Sequence, residues 1–404
     1  DVIGGSESYT FQLANLLSFF ADVDILTTTA KDHFSWKNHF PEGIEVVSDH
    51  LRIRRFTVDF ERTQHWFELN RILLNGVPML DFAFMEPAVK QNYVSEIRKI
   101  PAGFQEEWMR QQGPYSSALL DYLKNHADYD HYLFMTYLYP TTYFGVDQIA
   151  GPKKIHIIPT LHDEVPAYLN IMQKYARLKF LFLTRAESRL AQRIFHSEIR
   201  FDIIGYGLPD RFASIKPFQS PDPYILYAGR LDPSKGVEKL YEYFKRFVKK
   251  HPQLKLYTIG DGPLKEEKHP NIRYMGFVDE TQKLALMGGA LSFVHPSSFE
   301  SLGIVLLESF MMGTPGLVNK RCEVLNDHIL ESGAGFSYDT YEGFENSLMA
   351  LLDDSTLRDK LGSNARKYYL ERYSVETAQS KLAQILGTIG SQGEVSNNSA
   401  TARP

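Results

Sequence analysis

The chain has 404 residues, of which 43% are apolar and 23% charged, and its formal net charge is −5. That length predicts two domains of about 150 to 200 residues each. The negative balance excludes a general binder of nucleic acid or anionic membranes but leaves local basic pockets open. The single cysteine, Cys322, excludes an intrachain disulfide framework and a multi-thiolate metal site, and fits a reducing cytoplasm.

The first residues, DVIGGSESYTFQLANLL, place a Gly-Gly turn directly before an amphipathic helix with Phe11, Leu13, Leu16 and Leu17 on or near one face. In an α/β fold such a turn follows a strand. None precedes it here, so the first strand of the N-terminal domain is expected to be missing and its sheet to carry an empty lane. Strands are predicted at 23–29, 131–137, 154–161, 180–184, 201–207, 224–231, 254–262, 291–297 and 316–319. Segments with helical period, such as 236–252, lie between many of them. That alternation predicts parallel sheets covered on both faces. The segment from 60 to 125 is mostly helical and rich in tyrosine and tryptophan, and reads as an elaboration of the first domain. The aromatic run at 129–143 is either core or a surface on which sugar rings stack. The stretch 208–222 is punctuated by proline and marks a boundary. The last residues are small, polar and aperiodic, which predicts a disordered tail. No stretch approaches ~18 uninterrupted apolar residues, so no membrane span is predicted. No secretory signal is visible.

The second half carries the chemistry. YAGRLDPSKG (227–236) is a strand followed by a loop with Arg230 and Lys235, at the position where α/β sheets bind ligands. Arg230 offers a planar fork suited to phosphate and Lys235 a point charge; Gly229 and Gly236 let backbone approach closely. The bland alternative is a solvated basic loop. TIGDGP (258–263), with Gly260, is a second glycine turn after a strand. SSFESLGIVLLES (297–309) sets Glu300 in a loop and Glu308 inside the helix that follows. The first amides of that helix, near Gly303 to Val305, form an anion site. Here the alternative is structural: a salt bridge for Glu308 and a helix-start acid at Glu300. Asp22-Val-Asp24 resembles a metal-binding Asp-x-Asp pair but sits where a helix meets a strand. His162-Asp163-Glu164 lacks the spacing of a metal shell.

Taken together, GRLDPSKG, the GDGP turn, the MGFV stretch (275–278) and FESLGIVLLES resemble the retaining GT-B glycosyltransferases of family 4. Glu300 and Glu308 match that family's E-x7-E element. Gly4 and Gly5 match its N-terminal glycine loop, and His162 in TLHDE its strand-end histidine. The match is dense over 220–320 and thin over 1–205. The resemblance implies two Rossmann-like parallel-sheet domains facing across a cleft. An acceptor-side domain would span 1–205 and a nucleotide-sugar domain 206–375. A helix at 376–388 would cross back to the first domain, followed by a tail at 389–404.

The resemblance further implies that Arg230 and Lys235 bind the donor diphosphate. Gly5 would bring amides from the other domain, and Gly4, Gly229, Gly260, Ser301, Leu302, Gly303, Ile304 and Val305 would line the donor. Glu308 would accept the ribose hydroxyls, and Glu300 would lie against the donor sugar. Backbone at Phe277 and Val278 would read the base, and His162 would contact the sugar or the transferring centre. The catalytic set is then Glu300, His162, Arg230 and Lys235. No cofactor or metal is implied. The partners are a nucleotide diphosphate sugar, UDP- or GDP-linked, and a saccharide or lipid-linked acceptor, with peripheral membrane contact left open. A GT-B-fold nucleotide-sugar epimerase and a non-catalytic nucleotide-sugar-binding protein are the alternatives.

Overall fold

A computed structural model of the chain describes residues 5–74, 77–126, 128–151, 154–264 and 267–387. Gly4 and the tail expected at 389–404 lie outside them. The fold is α/β, with two Rossmann-like halves facing across a cleft.

In the first half, β1 (Val23–Thr28), β2 (Gly43–Ser48) and β3 (Leu51–Phe56) form one sheet in the order β1-β3-β2, with β1 parallel and β2 antiparallel to β3. A second, all-parallel sheet runs β4 (Tyr132–Met135), β5 (Ile155–Ile158), β6 (Lys179–Phe182) and β7 (Arg200–Ile203). Among the described residues no strand bridges β1 and β4. Both strands are mostly half-buried, where strands inside a covered parallel sheet are buried on both faces. The segment expected to be helical forms five helices: α1 (Gly5–Leu17) precedes it, and α2 (Gln64–Leu74), α3 (Met79–Ala83), α4 (Pro87–Arg98), α5 (Ala102–Gln112) and α6 (Ser117–Asn125) compose it. Its Leu73, Phe82, Trp108 and Met109 are buried in one core with Ile155, Tyr175 and Phe180.

The inward face of α1 is Tyr9, Leu13, Leu16 and Leu17; Phe11 is 44% exposed, contrary to expectation. Positions i, i+4, i+7 and i+8 define one stripe, and Tyr9 occupies it because its hydroxyl donates to Gly205 O across 3.1 Å. The strand expected at 201–207 stops at Ile203, because Gly205 and Gly207 take φ of 75° and 77° and turn the chain out of the sheet. In the aromatic run, Tyr132, Tyr137 and Tyr143 are buried, so core is its main role.

The second half is a six-stranded parallel sheet of β8 (Tyr224–Ala228), β9 (Lys255–Ile259), β10 (Ile272–Tyr274), β11 (Ser292–His295), β12 (Gly316–Asn319) and β13 (Gly335–Tyr338). Its order is β10-β9-β8-β11-β12-β13, so the winding reverses between β8 and β11. Helices α9 (Val237–Val248), α10 (Glu280–Gly289), α11 (Ile304–Met311), α12 (Glu323–Ser332), α13 (Tyr341–Asp353) and α14 (Ser355–Arg372) follow its strands. In the first half, α7 (Pro140–Gly145) follows β4 and α8 (Arg185–Ile194) follows β6. The final helix, α15 (Val375–Ile385), packs on α1, and Leu208 N donates to Tyr373 O.

Candidate functional site

Open parallel sheets bind ligands outside the carboxyl ends of their strands, where the winding reverses. Here that crevice lies between β8, which leads to Arg230 and Lys235, and β11, which leads to Glu300. The two loops are drawn together by glycine. A Cβ on Gly236, whose φ is 73°, would stand 2.6 Å from Pro296 O. One on Gly260 would stand 2.0 Å from Gly229 O, so these two predicted glycines let the ends of β8 and β9 touch backbone to backbone.

The approach brings Lys235 Nζ to 2.6 Å from Glu300 Oε1. Burial alone would raise the Glu300 carboxyl, but His295 and Lys235, with a Ser297 hydrogen bond, hold it below the usual carboxylate range. His295 Nε2 lies 3.9 Å from Glu300 Oε1, on the floor behind it. Across the cleft, the His162 ring stacks on Phe299 with centroids 4.9 Å apart and an interplanar angle of 28°. Burial pushes His162 down to about 4, with Glu300 opposing, so the ring is neutral at pH 7. Below it, the buried Glu187 of α8 accepts hydrogen bonds from Leu161 N at 2.8 Å and Leu183 N at 2.9 Å, fixing the loop that carries His162. His162, Glu300 and Ser301 line one cavity of about 170 Å³ together with Phe84 of the helical elaboration.

The second glutamate lies on another wall. Glu308 sits in α11, and Lys283 Nζ reaches it from α10, 2.8 Å from Oε1 and 2.7 Å from Oε2, with the hydrogen bond to Oε1. Oε2 is buried and has no hydrogen-bond partner. Burial raises this carboxyl against the pull of Lys283. The Lys283 ammonium thus lies within ion-pair distance of both carboxylate oxygens, as the salt-bridge alternative expects, while only Oε1 is in hydrogen-bond geometry. Gly303, at φ 71°, caps α11, and the free amides of the first turn begin there. Leu302 is buried beneath them, while Ile304 and Val305 are partly covered.

Arg230 is exposed at the rim. Gly260 N donates to Gly276 O, which sets the 275–278 stretch beside the crevice. Phe277 is 90% exposed and Val278 is partly buried. Gly5 is the first residue of α1. Four groups escape the sequence reading: His295, Lys283, Phe299 and Glu187. His295 stands in the LSFVHPS strand (291–297) and adjoins Pro296, which could have flagged it; the others have no local signal.

Asp22 is paired with His50 at 2.7 Å, and Asp24 with Arg52 and the Tyr129 hydroxyl, both at 2.6 Å. Among the described residues no group of three or more His, Cys, Asp or Glu is placed to hold a metal ion, and no helix is long and apolar enough to cross a membrane.

Residues 210–368 match the family described as "Glycosyl transferases group 1". Among curated proteins, glycogen synthase of Mycobacterium tuberculosis is 29% identical over 185 residues, covering 43% of this chain and 44% of its own length. Alpha-D-kanosaminyltransferase of Streptomyces kanamyceticus is 30% identical over 197 residues, covering 46% and 48%. The chain thus spans less than half the length of these relatives. Among solved structures, sucrose-phosphate synthase from Thermosynechococcus elongatus superposes with a TM-score of 0.65 at 16% identity, covering 96% of this chain and 94% of its own, and shares the fold.

Proposed function

We propose that the protein is a retaining glycosyltransferase that moves a hexose from a UDP- or GDP-linked sugar to a hydroxyl of a saccharide or lipid-linked acceptor. The observation that carries this reading is the Lys235–Glu300 pair at 2.6 Å, set at the reversal point of one sheet and faced by His162 of the other. The similarity of residues 210–368 to group 1 glycosyl transferases, and of longer stretches to a glycogen synthase and a kanosaminyltransferase, supports it.

The roles follow from charge. Arg230, Lys235 and the first amides of α11 take the diphosphate, and their grip strengthens as negative charge collects on the departing phosphate. Glu308, held by Lys283, presents Oε2, which makes no hydrogen bond in good geometry, to the ribose hydroxyls. Glu300, kept ionised by Lys235, faces the donor sugar. His162 is neutral and shares a hydrogen bond with the sugar without adding a second cation. The acceptor hydroxyl attacks on the face that the phosphate leaves, and the phosphate oxygen takes its proton. A new C–O bond replaces the old one, and the nucleoside diphosphate departs without a protein base. A lipid-linked acceptor would bring the protein to the inner face of a membrane.

The test is incubation with UDP-glucose or GDP-mannose and a panel of saccharides, followed by proton NMR of the product. Release of nucleoside diphosphate with an α-linked product is expected. An inverted product, or epimerised donor without transfer, would overturn the reading.

A further inference from the structure

Beside the cavity that His162 and Glu300 line, the two halves meet through an ordered array of charge that the transfer reading does not use. Helix α8, from the first half, carries Arg185, Arg189 and Arg193; α12, from the second, carries Glu323, Asp327 and Glu331. Residues four apart lie on one helix face, so each helix presents a single-sign row. The rows meet in opposite directions. Arg185 lies 3.8 Å from Glu331, Arg189 lies 2.5 Å from Asp327 and 2.8 Å from Glu323, and Arg193 lies 3.2 Å from Glu323. Arg372 of α14 adds a contact to Glu331 at 3.7 Å.

We propose that this ladder is an ionic latch that sets the width of the cleft, so that ionic strength tunes the angle between the two halves. Three observations support it. The ladder borders the site, since Arg193 and Glu323 line the same cavity as His162 and Glu300. It is mechanically connected to the site, because Glu187, in the first turn of α8, holds the backbone beside His162. Its members are partly exposed, the arginines 42% to 61% on their side chains, so each contact is weak alone and open to screening. The Debye length falls from about 10 Å at 0.1 M salt to about 3 Å at 1 M, which weakens all rungs together. The packing of α15 on α1 and the Leu208–Tyr373 bond keep the halves joined at any salt, so loss of the ladder alters their angle and does not separate them. The latch depends on geometry alone, and stands whether or not the transfer reading does.

The test is interdomain energy transfer between fluorophores on cysteines introduced at two exposed positions, Glu68→Cys on α2 and Glu242→Cys on α9. Cys322 is buried and its thiol is pushed up to about 12, so the introduced thiols label selectively. In the otherwise unaltered protein, raising NaCl from 0.05 to 1 M should shift the open-to-closed ratio by about tenfold. The reversal R185E/R189E/R193E sets like charges face to face, so it should be open at low salt and should move toward the closed distance, opposite to the unaltered protein, as salt screens the repulsion. Adding E323K/D327K/E331K should restore both the closed distance and its salt dependence. A distance that stays constant across the salt range in the unaltered chain overturns the proposal without any variant. So does a folded triple reversal that leaves the distance unchanged at low salt.

Discussion

Replacing Glu308 with Gln probes the donor pocket most sharply, because two physical effects then part company. The substitution removes the charge from a buried carboxylate whose two oxygens both face Lys283 and whose Oε2 makes no hydrogen bond in good geometry. If that oxygen receives ribose hydroxyls, each complex loses a charge-assisted hydrogen bond worth about 1.5 to 3 kcal/mol, or roughly 10- to 150-fold in affinity. Stability responds differently. Burial disfavours the Glu308 charge while Lys283 favours it, so the amide relieves desolvation and forfeits an ion pair together. The amide also leaves the partly buried Lys283 charge unpaired, so the second effect wins and stability should fall by about 1 to 3 kcal/mol, or roughly 2 to 12 °C in melting temperature. Calorimetric titration with the nucleoside diphosphate, run beside a thermal melt, reads both quantities. Unchanged affinity with a markedly lower melting temperature would refute the ribose role and leave Glu308 a structural residue.

Glu300→Gln should leave nucleoside diphosphate affinity within about twofold, because Lys235 loses its carboxylate and remains free for phosphate, while turnover falls by about 100-fold or more; loss of nucleotide binding would reassign Glu300. Gly260→Ala should destabilise the second half by about 2 kcal/mol or more, since its Cβ would stand 2.0 Å from Gly229 O at a φ of 123°, and a wild-type melt would show the contact to be yielding. Acidification should weaken the fold. Burial, the leading cause in each case, pushes His156, His162, His295 and His328 down to about 4 and raises Glu164 and Glu187 to about 7. Between pH 6 and 5 the unfolded chain binds four more histidine protons and the folded chain two more glutamate protons. Stability should therefore drop by roughly 2 to 3 kcal/mol per unit as pH falls, and denaturant titrations showing a flat or opposite trend would contradict these burials.

How much of this was legible beforehand depends on range along the chain. The crevice loops could be read because their signals are local: a cation pair beside glycine in GRLDPSKG, and two glutamates flanking a helix start. The partners of those residues could not. Lys283 reaches Glu308 from another helix, and Phe299 meets His162 across the two halves, far apart along the chain. Strands β2 and β3 escaped for a different reason. β2 is an exposed edge with no buried face, and β3 carries Arg52 and Arg55, whose charges are met across the sheet by Asp24 and Glu45. β2 hides no face from water and β3 fully buries only its ends, Leu51 and Phe56, so the period of two that marks a strand does not show in polarity. Tyr9 displaced Phe11 from the core because its hydroxyl finds a carbonyl, a pairing that hydrophobic period alone does not weigh.

The central claim is that the crevice between β8 and β11 holds the diphosphate of a nucleotide sugar. A thermal-shift titration of the unaltered protein and of R230A/K235A with UDP, GDP and ADP tests it most directly. At least one nucleotide should stabilise the unaltered protein, by about 2.7 kcal/mol at a hundredfold excess over its Kd, and the double variant should lose that gain. Equal stabilisation of both proteins, or of neither by any of the three, would contradict it.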